Sequence, residues 1–275
     1  MSEISQASIS EVPPWIIQRI EKAGFQPSFT ARTLILTYKE EGFLIGNFAD
    51  SHQAFLSYIY VEPPFRNLGV GSQLLDRFLS TARDRGIKEV QISGSTGNAP
   101  GYLQPGIKIE MEKEAIRLVK RFGFIEIGLA YSMERDLRTF MIKDELTSLE
   151  IRMPFADEIP SLERAIESSV PGDWSQLFAH RVQHNPHQVL IAVRSGEIVG
   201  YATWQASRFG PIGVLHNQRG QGIGRKLVLK SLEQMVKQGE KLAWFLWSDD
   251  KNLKFYLDLG FTVRESYARY TLFLN

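Results

Sequence analysis

The chain reads as two tandem copies of an α+β unit built on a mixed sheet, and three observations predict this. The glycine-rich segments Arg66-Asn67-Leu68-Gly69-Val70-Gly71 and Arg219-Gly220-Gln221-Gly222-Ile223-Gly224 share the pattern R-x-x-G-x-G, 153 positions apart. The same apolar face follows each: Val70, Leu74, Leu75, Phe78, Leu79 and Ala82 against Ile223, Leu227, Val228, Ser231, Leu232 and Met235. That spacing is one side of an amphipathic helix, and only Ser231 breaks the match. Around each turn the order is helix, antiparallel strands, helix, strand, helix, strands, which builds a mixed sheet and not a doubly wound one.

The elements follow in order. Pro13-Pro14, then Trp15, Ile16, Ile20 and Ala23 before Gly24, reads as a helix with proline near its start. Thr33–Tyr38 and Phe43–Phe48, joined by Lys39-Glu40-Glu41-Gly42, read as a hairpin, and Ala54–Val61 is a strand entering the first glycine turn. The helix after that turn closes at Arg85-Gly86, and Glu89–Ser93 is the next strand. Ser95–Glu110, rich in Gly and Pro, reads as a loop before a helix around Met111–Phe122. Gly71 to Gly123 spans 52 residues and Gly224 to Gly260 spans 36, so the first copy carries about 16 extra residues here.

The second copy opens with a strand near Leu146–Met153, followed by helices at Asp157–Glu167 and Asp173–Val182. Val189–Val193, Ile198–Trp204 and Phe209–Leu215 are its strands. Its long helix closes at Gln238-Gly239, and Leu242–Trp247 is a strand. A last helix ends in Asp258-Leu259-Gly260-Phe261, as its counterpart ends in Arg121-Phe122-Gly123-Phe124. These readings divide the chain into domains 1–140 and 141–275.

Bulk properties narrow the function. Lys plus Arg, 32, nearly equals Asp plus Glu, 31, so no net charge directs the protein to nucleic acid or an anionic membrane. Hydrophobic content of 43% with 23% charge supports real cores. There is no cysteine, which removes thiol nucleophiles and disulfides. Met1-Ser2-Glu3-Ile4-Ser5 lacks the basic and apolar regions of a secretory signal, and no apolar run approaches membrane-spanning length; the expectation is a cytoplasmic protein that uses neither nucleic acid nor membrane.

Glycines at a strand-to-helix turn leave backbone N–H groups uncovered at the positive end of the helix dipole, which favours phosphate. A dinucleotide site needs a third glycine where Leu74 and Leu227 stand, and neither turn has the G-K-[S/T] ending of a P-loop. His180, His184 and His187 are spaced i, i+4, i+7, but without H-E-x-x-H, and with Pro186 ending the helix, they read as structural or surface residues; no metal is expected. Asp249-Asp250 before the last helix reads as an N-terminal cap.

The residues that carry a resemblance are Tyr58-Ile59-Tyr60-Val61 before Arg66–Gly71, Gly213-Val214-Leu215 before Arg219–Gly224, and Phe255-Tyr256 with Gly260-Phe261. In that order they resemble the GNAT superfamily of acyl-CoA-dependent N-acetyltransferases. Phe209–Val214, Ala243–Trp247 and Pro171-Gly172-Asp173-Trp174 make the second half similar to a bacterial tandem subgroup of it.

The resemblance implies acetyl-CoA as co-substrate and a small-molecule or peptide amine as acceptor. The backbone of Arg219, Gly220, Gln221, Gly222, Ile223, Gly224 and Arg225 would bind the pyrophosphate. Pantetheine would lie along Ile212, Gly213, Val214 and Leu215. The Val214 N–H would polarise the thioester carbonyl, and Tyr256 would protonate the thiolate. Val61, Arg66, Asn67, Leu68, Gly69, Val70 and Gly71 are the corresponding set in the first half. Four residues before each glycine, Tyr256 maps onto Val119, which carries no proton, so the chemistry is expected in the second half. His216 and Asp249 depart from the family pattern. Glu167, Asp173 and Asp249 are candidate bases.

Two other readings fit the same residues. One is a non-catalytic acyl-CoA-binding sensor or scaffold. Another is an aminoacyl transferase using charged tRNA, against which the near-neutral charge counts. The oligomeric state is left open.

Overall fold

A computed structural model describes residues 3–23, 29–92, 105–110, 112–141, 149–169, 182 and 186–274. The helix expected at Asp173–Val182 and residues His180 and His184 therefore lie outside the described residues, Val182 apart.

The chain forms two compact units, Met1–Ala130 with Ser266–Asn275, and Tyr131–Glu265. Both are mixed α+β, as the periodicities predict. In unit 1, β1 (Ile4–Ala7), β2 (Thr33–Tyr38), β3 (Gly42–Phe48) and β4 (Gln53–Val61) pair antiparallel in sequence, and β5 (Glu89–Ile92) joins β4 in parallel. Helix α1 (Pro14–Lys22) covers one face through Ile16 and Ile20, and α2 (Val70–Asp84) covers the other. β6 (Ile107–Lys108) and α3 (Lys113–Arg121) follow. β7 (Ile125–Asp136) begins in unit 1 and ends in unit 2.

In unit 2, β8 (Glu150–Arg152), β9 (Val189–Arg194), β10 (Glu197–Gln205) and β11 (Arg208–Val214) pair antiparallel, and β12 (Leu242–Asp249) joins β11 in parallel. Helices α4 (Ile159–Ser169), α5 (Ile223–Lys237) and α6 (Asp250–Leu257) pack around them. The last strand, β13 (Thr262–Phe273), starts in unit 2 and finishes in unit 1, pairing Thr271 with Gln91 and Tyr267 with Lys108.

The buried face of α2 is the six residues named by periodicity. That of α5 is the corresponding six plus Glu233. Ser231 is fully buried without penalty because its hydroxyl donates to the Leu227 carbonyl at 2.8 Å. Glu233 keeps its charge between Lys230 and Lys237.

The duplication reaches further than the motif. Gly42 pairs with Val61 and Gly200 with Val214. A Cβ on Gly42 would sit 3.0 Å from Val70 and from the Tyr60 carbonyl; on Gly200 it would sit 3.0 Å from Leu227 and 3.1 Å from the Gly213 carbonyl. At both points the long helix approaches the sheet so closely that a Cβ would crowd it.

Candidate active sites

Each glycine turn is built by alternating left-handed residues. Asn67 and Gly69 have φ of 63° and 91°; Gly220 and Gly222, at the same positions, have 77° and 76°. Gly69 and Gly222 cap α2 and α5 with no side chain on the first-turn amides. Among the described residues, the N–H groups of 220–225 and of 67–72 have no acceptor. A row of open amides at a helix start favours an anion. Leu68 stands out into solvent, and Val70 and Ile223 face the core.

The arginine that opens each motif ties the turn to its strand. Arg66 Nε donates to the Val61 carbonyl at 3.0 Å, and Arg219 Nε to the Val214 carbonyl at 3.1 Å. Gln221 is held by Arg194, which also reaches Gln218 at 3.1 Å.

The strands next to the turns splay. β11 and β12 pair only at Arg208 and Trp244, then run on to Val214 and Asp249 unpaired with each other. β4 pairs with β5 through Leu56 and runs five residues further. The Leu215 N–H donates to Val199 O at 3.0 Å, and the Glu62 N–H to Glu41 O at 2.8 Å. Successive N–H groups of a strand point to opposite edges, so the Val214 and Val61 amides, one residue earlier, face the opened side.

Ile212, Gly213 and Val214 thus lie along the free edge of β11, Leu215 follows it, and the turn 219–225 closes its end. Tyr256 sits on α6, half-buried, its ring 4.5 Å from Phe245, 5.0 Å from Phe255 and 5.6 Å from Phe261. Phe255 and Val214 both come within 4 Å of the Cβ position of Gly224, which joins α6, β11 and the turn. Leu118 and Val61 meet Gly71 in the same way. This makes Val119, 1% exposed in its core, the positional equivalent of Tyr256.

Burial, then the Asp249 charge, holds the Tyr256 phenol well above the usual tyrosine range. Its hydroxyl has no hydrogen-bond partner among the described residues. The phenol stays protonated through neutral pH.

The carboxylate candidates divide. Asp249 caps α6, accepting from the Asn252 backbone N–H at 3.2 Å and Nδ2 at 2.9 Å. Asp250 accepts from the Tyr131 hydroxyl at 2.8 Å. The Glu167 side chain and Asp173 lie outside the described residues. His187 lies in the short turn Pro186–Gln188, and His216 in the turn His216–Gln218.

Two features escaped sequence reasoning. One is a β-bulge repeated at the same position. Between the pairs Ile45–Tyr58 and Gly46–Leu56, Ser57 is the extra residue; between Ala202–Ile212 and Trp204–Phe209, β11 has one residue more. Gly210, φ 94°, before the cis Pro211, is the equivalent of Ser57. A Gly-Pro pair inside a strand is the signal that marks such a bulge; Ser57 offers none. The other is a cavity of about 790 Å³ in unit 1, between the end of β4, the first glycine turn and α3.

Open amide cradles beside splayed strands, twice over, agree with what the chain resembles. Residues 15–101 match the model described as Acetyltransferase (GNAT) family, and residues 165–269 the model described as Acetyltransferase (GNAT) domain. The protein belongs to the GNAT superfamily of acetyltransferases, with two such domains in tandem. That makes it an acyltransferase, of a family that uses acetyl-CoA as co-substrate.

Mycothiol acetyltransferase of Thermobispora bispora is 28% identical over 229 residues, covering 74% of this chain and 71% of that protein. Among solved structures, the glucosamine N-acetyltransferase region of a fungal multi-domain GH3 β-N-acetylglucosaminidase superposes with TM-score 0.80 at 15% identity. It covers 98% of this chain, which spans only 38% of that one. A GCN5-related N-acetyltransferase from Sphaerobacter thermophilus gives 0.71 at 17%, covering 99% and 96%. A tandem GNAT protein of the clavulanic acid biosynthesis pathway gives 0.64 at 14%, covering 98% of each chain. At these identities the structures share the fold. Among the described residues no helix is long and apolar enough to cross a membrane.

Proposed function

We propose that the protein moves an acetyl group from acetyl-CoA to a primary amine of a small molecule or peptide, and that unit 2 carries this chemistry. The observation that supports it best is the convergence of three parts on Gly224: the open amides of 220–225, the free edge of β11 ending in Val214, and α6 bearing Tyr256. The amides take the pyrophosphate, with Arg219 fixing the turn. Ile212–Leu215 pair with pantetheine as an added strand would. The Val214 N–H faces the carbonyl oxygen, where charge develops as the amine attacks.

Tyr256 donates its phenolic proton toward the sulfur as the C–S bond breaks. Its raised pKa suits a donor. The acceptor's own proton goes to Asp249 or to water. The similarity to a mycothiol acetyltransferase favours a small-molecule acceptor.

The test is Tyr256→Phe. Amine-dependent CoA release should fall at least roughly tenfold while the acetyl-CoA Kd stays within about twofold. Undiminished release removes Tyr256 from the mechanism. Tight acetyl-CoA binding with no turnover on any amine would instead make the protein an acyl-CoA-binding module.

A further inference from the structure

We propose that unit 1 holds a second acyl-transfer centre, in which Glu112 takes the proton of an ammonium-bearing small molecule lodged against Ser57 and Tyr58. It rests on the reading that the glycine turns grip the pyrophosphate of acyl-CoA.

The cavity in unit 1 is about 790 Å³. Arg66, Asn67 and Arg121 border it near the glycine turn; Ser57, Tyr58 and Glu112 also line it, with Lys108 beside Glu112. A volume of this order suits a ligand of cofactor size.

The bulge explains the second group. At a bulge two successive side chains share a face. Leu56 and Ile59 pack toward α2, whereas Tyr58 and Tyr60 pack on the α1 side. Ser57 joins the α1 side, because its Oγ accepts from Nδ2 of buried Asn47 at 2.6 Å, which in turn accepts from Thr33 at 2.7 Å. Ser57 is 3% exposed, and its own O–H has no acceptor among the described residues. A buried donor of this kind, on a cavity wall, calls for a ligand acceptor.

Glu112 occupies the cap of α3, the place Asp249 holds on α6. Asp249 spends its carboxylate on Asn252. Glu112 makes no cap bond within its helix; its Oε2 accepts the Lys108 N–H at 3.0 Å. Lys108 is itself fixed by pairing with Tyr267. The extra residues of the first copy thus end in a mount for this carboxylate. Burial, then the Glu112 charge, pushes the Tyr58 phenol up to about 12, so it stays a neutral donor beside an anion. Unit 2 has Gly210 and Pro211 where unit 1 has Ser57 and Tyr58. Unit 1 has Val119 where unit 2 has Tyr256. The two units are equipped at opposite ends of the same reaction.

The ammonium gives one proton to the Glu112 carboxylate. The freed nitrogen pair forms the N–C bond to the thioester carbon, and the carbonyl pair moves to oxygen opposite the Val61 N–H. Collapse re-forms C=O and breaks C–S. The nitrogen's second proton passes to sulfur, giving amide and free CoA thiol, and Glu112 returns its proton to water.

The experiment uses the full chain with acetyl-CoA and two probe amines, glucosamine and putrescine, and follows thiol release. In a Tyr256→Phe background, Glu112→Gln should lower the remaining amine-dependent release at least tenfold, with Tm unchanged within about 2 °C. Glu112→Asp should restore part of it, and Tyr58→Phe should raise the amine KM several-fold. Release unaffected by Glu112→Gln, or abolished by Tyr256→Phe alone, overturns the proposal. Release intact in Tyr256→Phe but lost in Glu112→Gln supports this centre and sinks the assignment to unit 2. Unchanged acetyl-CoA binding in Gly69→Asp overturns it from the other side, by removing the grip on the pyrophosphate.

Discussion

The Nε of Arg219 donates to the carbonyl oxygen of Val214 at 3.1 Å, joining the last residue of β11 to the first residue of the glycine motif. The bond fixes two parts of the proposed acetyl-CoA site relative to each other: the strand end, whose Val214 N–H faces the opened edge, and the amides that begin one residue after Arg219. The motif arginine thereby positions the turn through its backbone partner.

Arg219→Met keeps the aliphatic stem and removes the donor. Acetyl-CoA affinity in unit 2 should weaken about tenfold, the scale of one hydrogen bond from a charged group, roughly 1.5 kcal/mol. Titration calorimetry on the wild type and on Arg66→Met, which breaks the matching bond in unit 1, separates the two sites. An unchanged Kd in Arg219→Met would show that the turn holds its shape unaided.

Gly222 has φ 76° and open space around its Cβ position, so substitution there meets strain and no clash. Gly222→Ala should cost about 1–2 kcal/mol of stability in urea unfolding. Gly222→Asp should cost similarly and also abolish acetyl-CoA binding by unit 2, because a carboxylate would face the phosphates. Equal affinity in the two variants would argue against a phosphate cradle.

Gly42 and Gly200 should respond alike. A Cβ at either lies 3.0–3.1 Å from a facing carbonyl and a helix side chain, and neither backbone can retreat without breaking strand pairing. Alanine at each should lower stability by about 1–3 kcal/mol. A neutral result at one position alone would mean that its helix is free to shift.

Alkaline pH should unfold the protein early. Tyr58 and Tyr270 are each pushed up to about 12, by burial first and by Glu112 or Glu126 second. An unfolded tyrosine ionises near 10. Between the two values the unfolded chain has shed protons that the native one retains, so stability is full below pH 10 and falls as pH rises toward 12. Tyrosine absorbance should rise together with loss of helical circular dichroism. Ionisation of the full tyrosine complement near pH 10 in the folded state would contradict the burial of these phenols.

Local periodicity carried much of this protein. The six-residue faces of α2 and α5, the hairpin of β2 and β3, and the glycine turns were legible because each is a short-range pattern with a short-range cause: helical spacing, strand alternation, a turn needing φ > 0. Mapping Tyr256 onto Val119 by counting back from Gly260 and Gly123 works for the same reason, since a helix preserves register.

What the sequence could not display is set by partners distant along the chain. Ser57 looks like any strand serine until the pairing of β3 with β4 makes it the extra residue of a bulge beside Asn47. Glu112 is one acid among many until Lys108, anchored by Tyr267 from the far end of the chain, hands it a backbone N–H. The return of Ser266–Asn275 to unit 1 has no local signature either. Repeats, faces and turns were determined by residues within a few positions of each other; cavities, bulges and strand partners were decided by tertiary pairing, which no single stretch of chain contains.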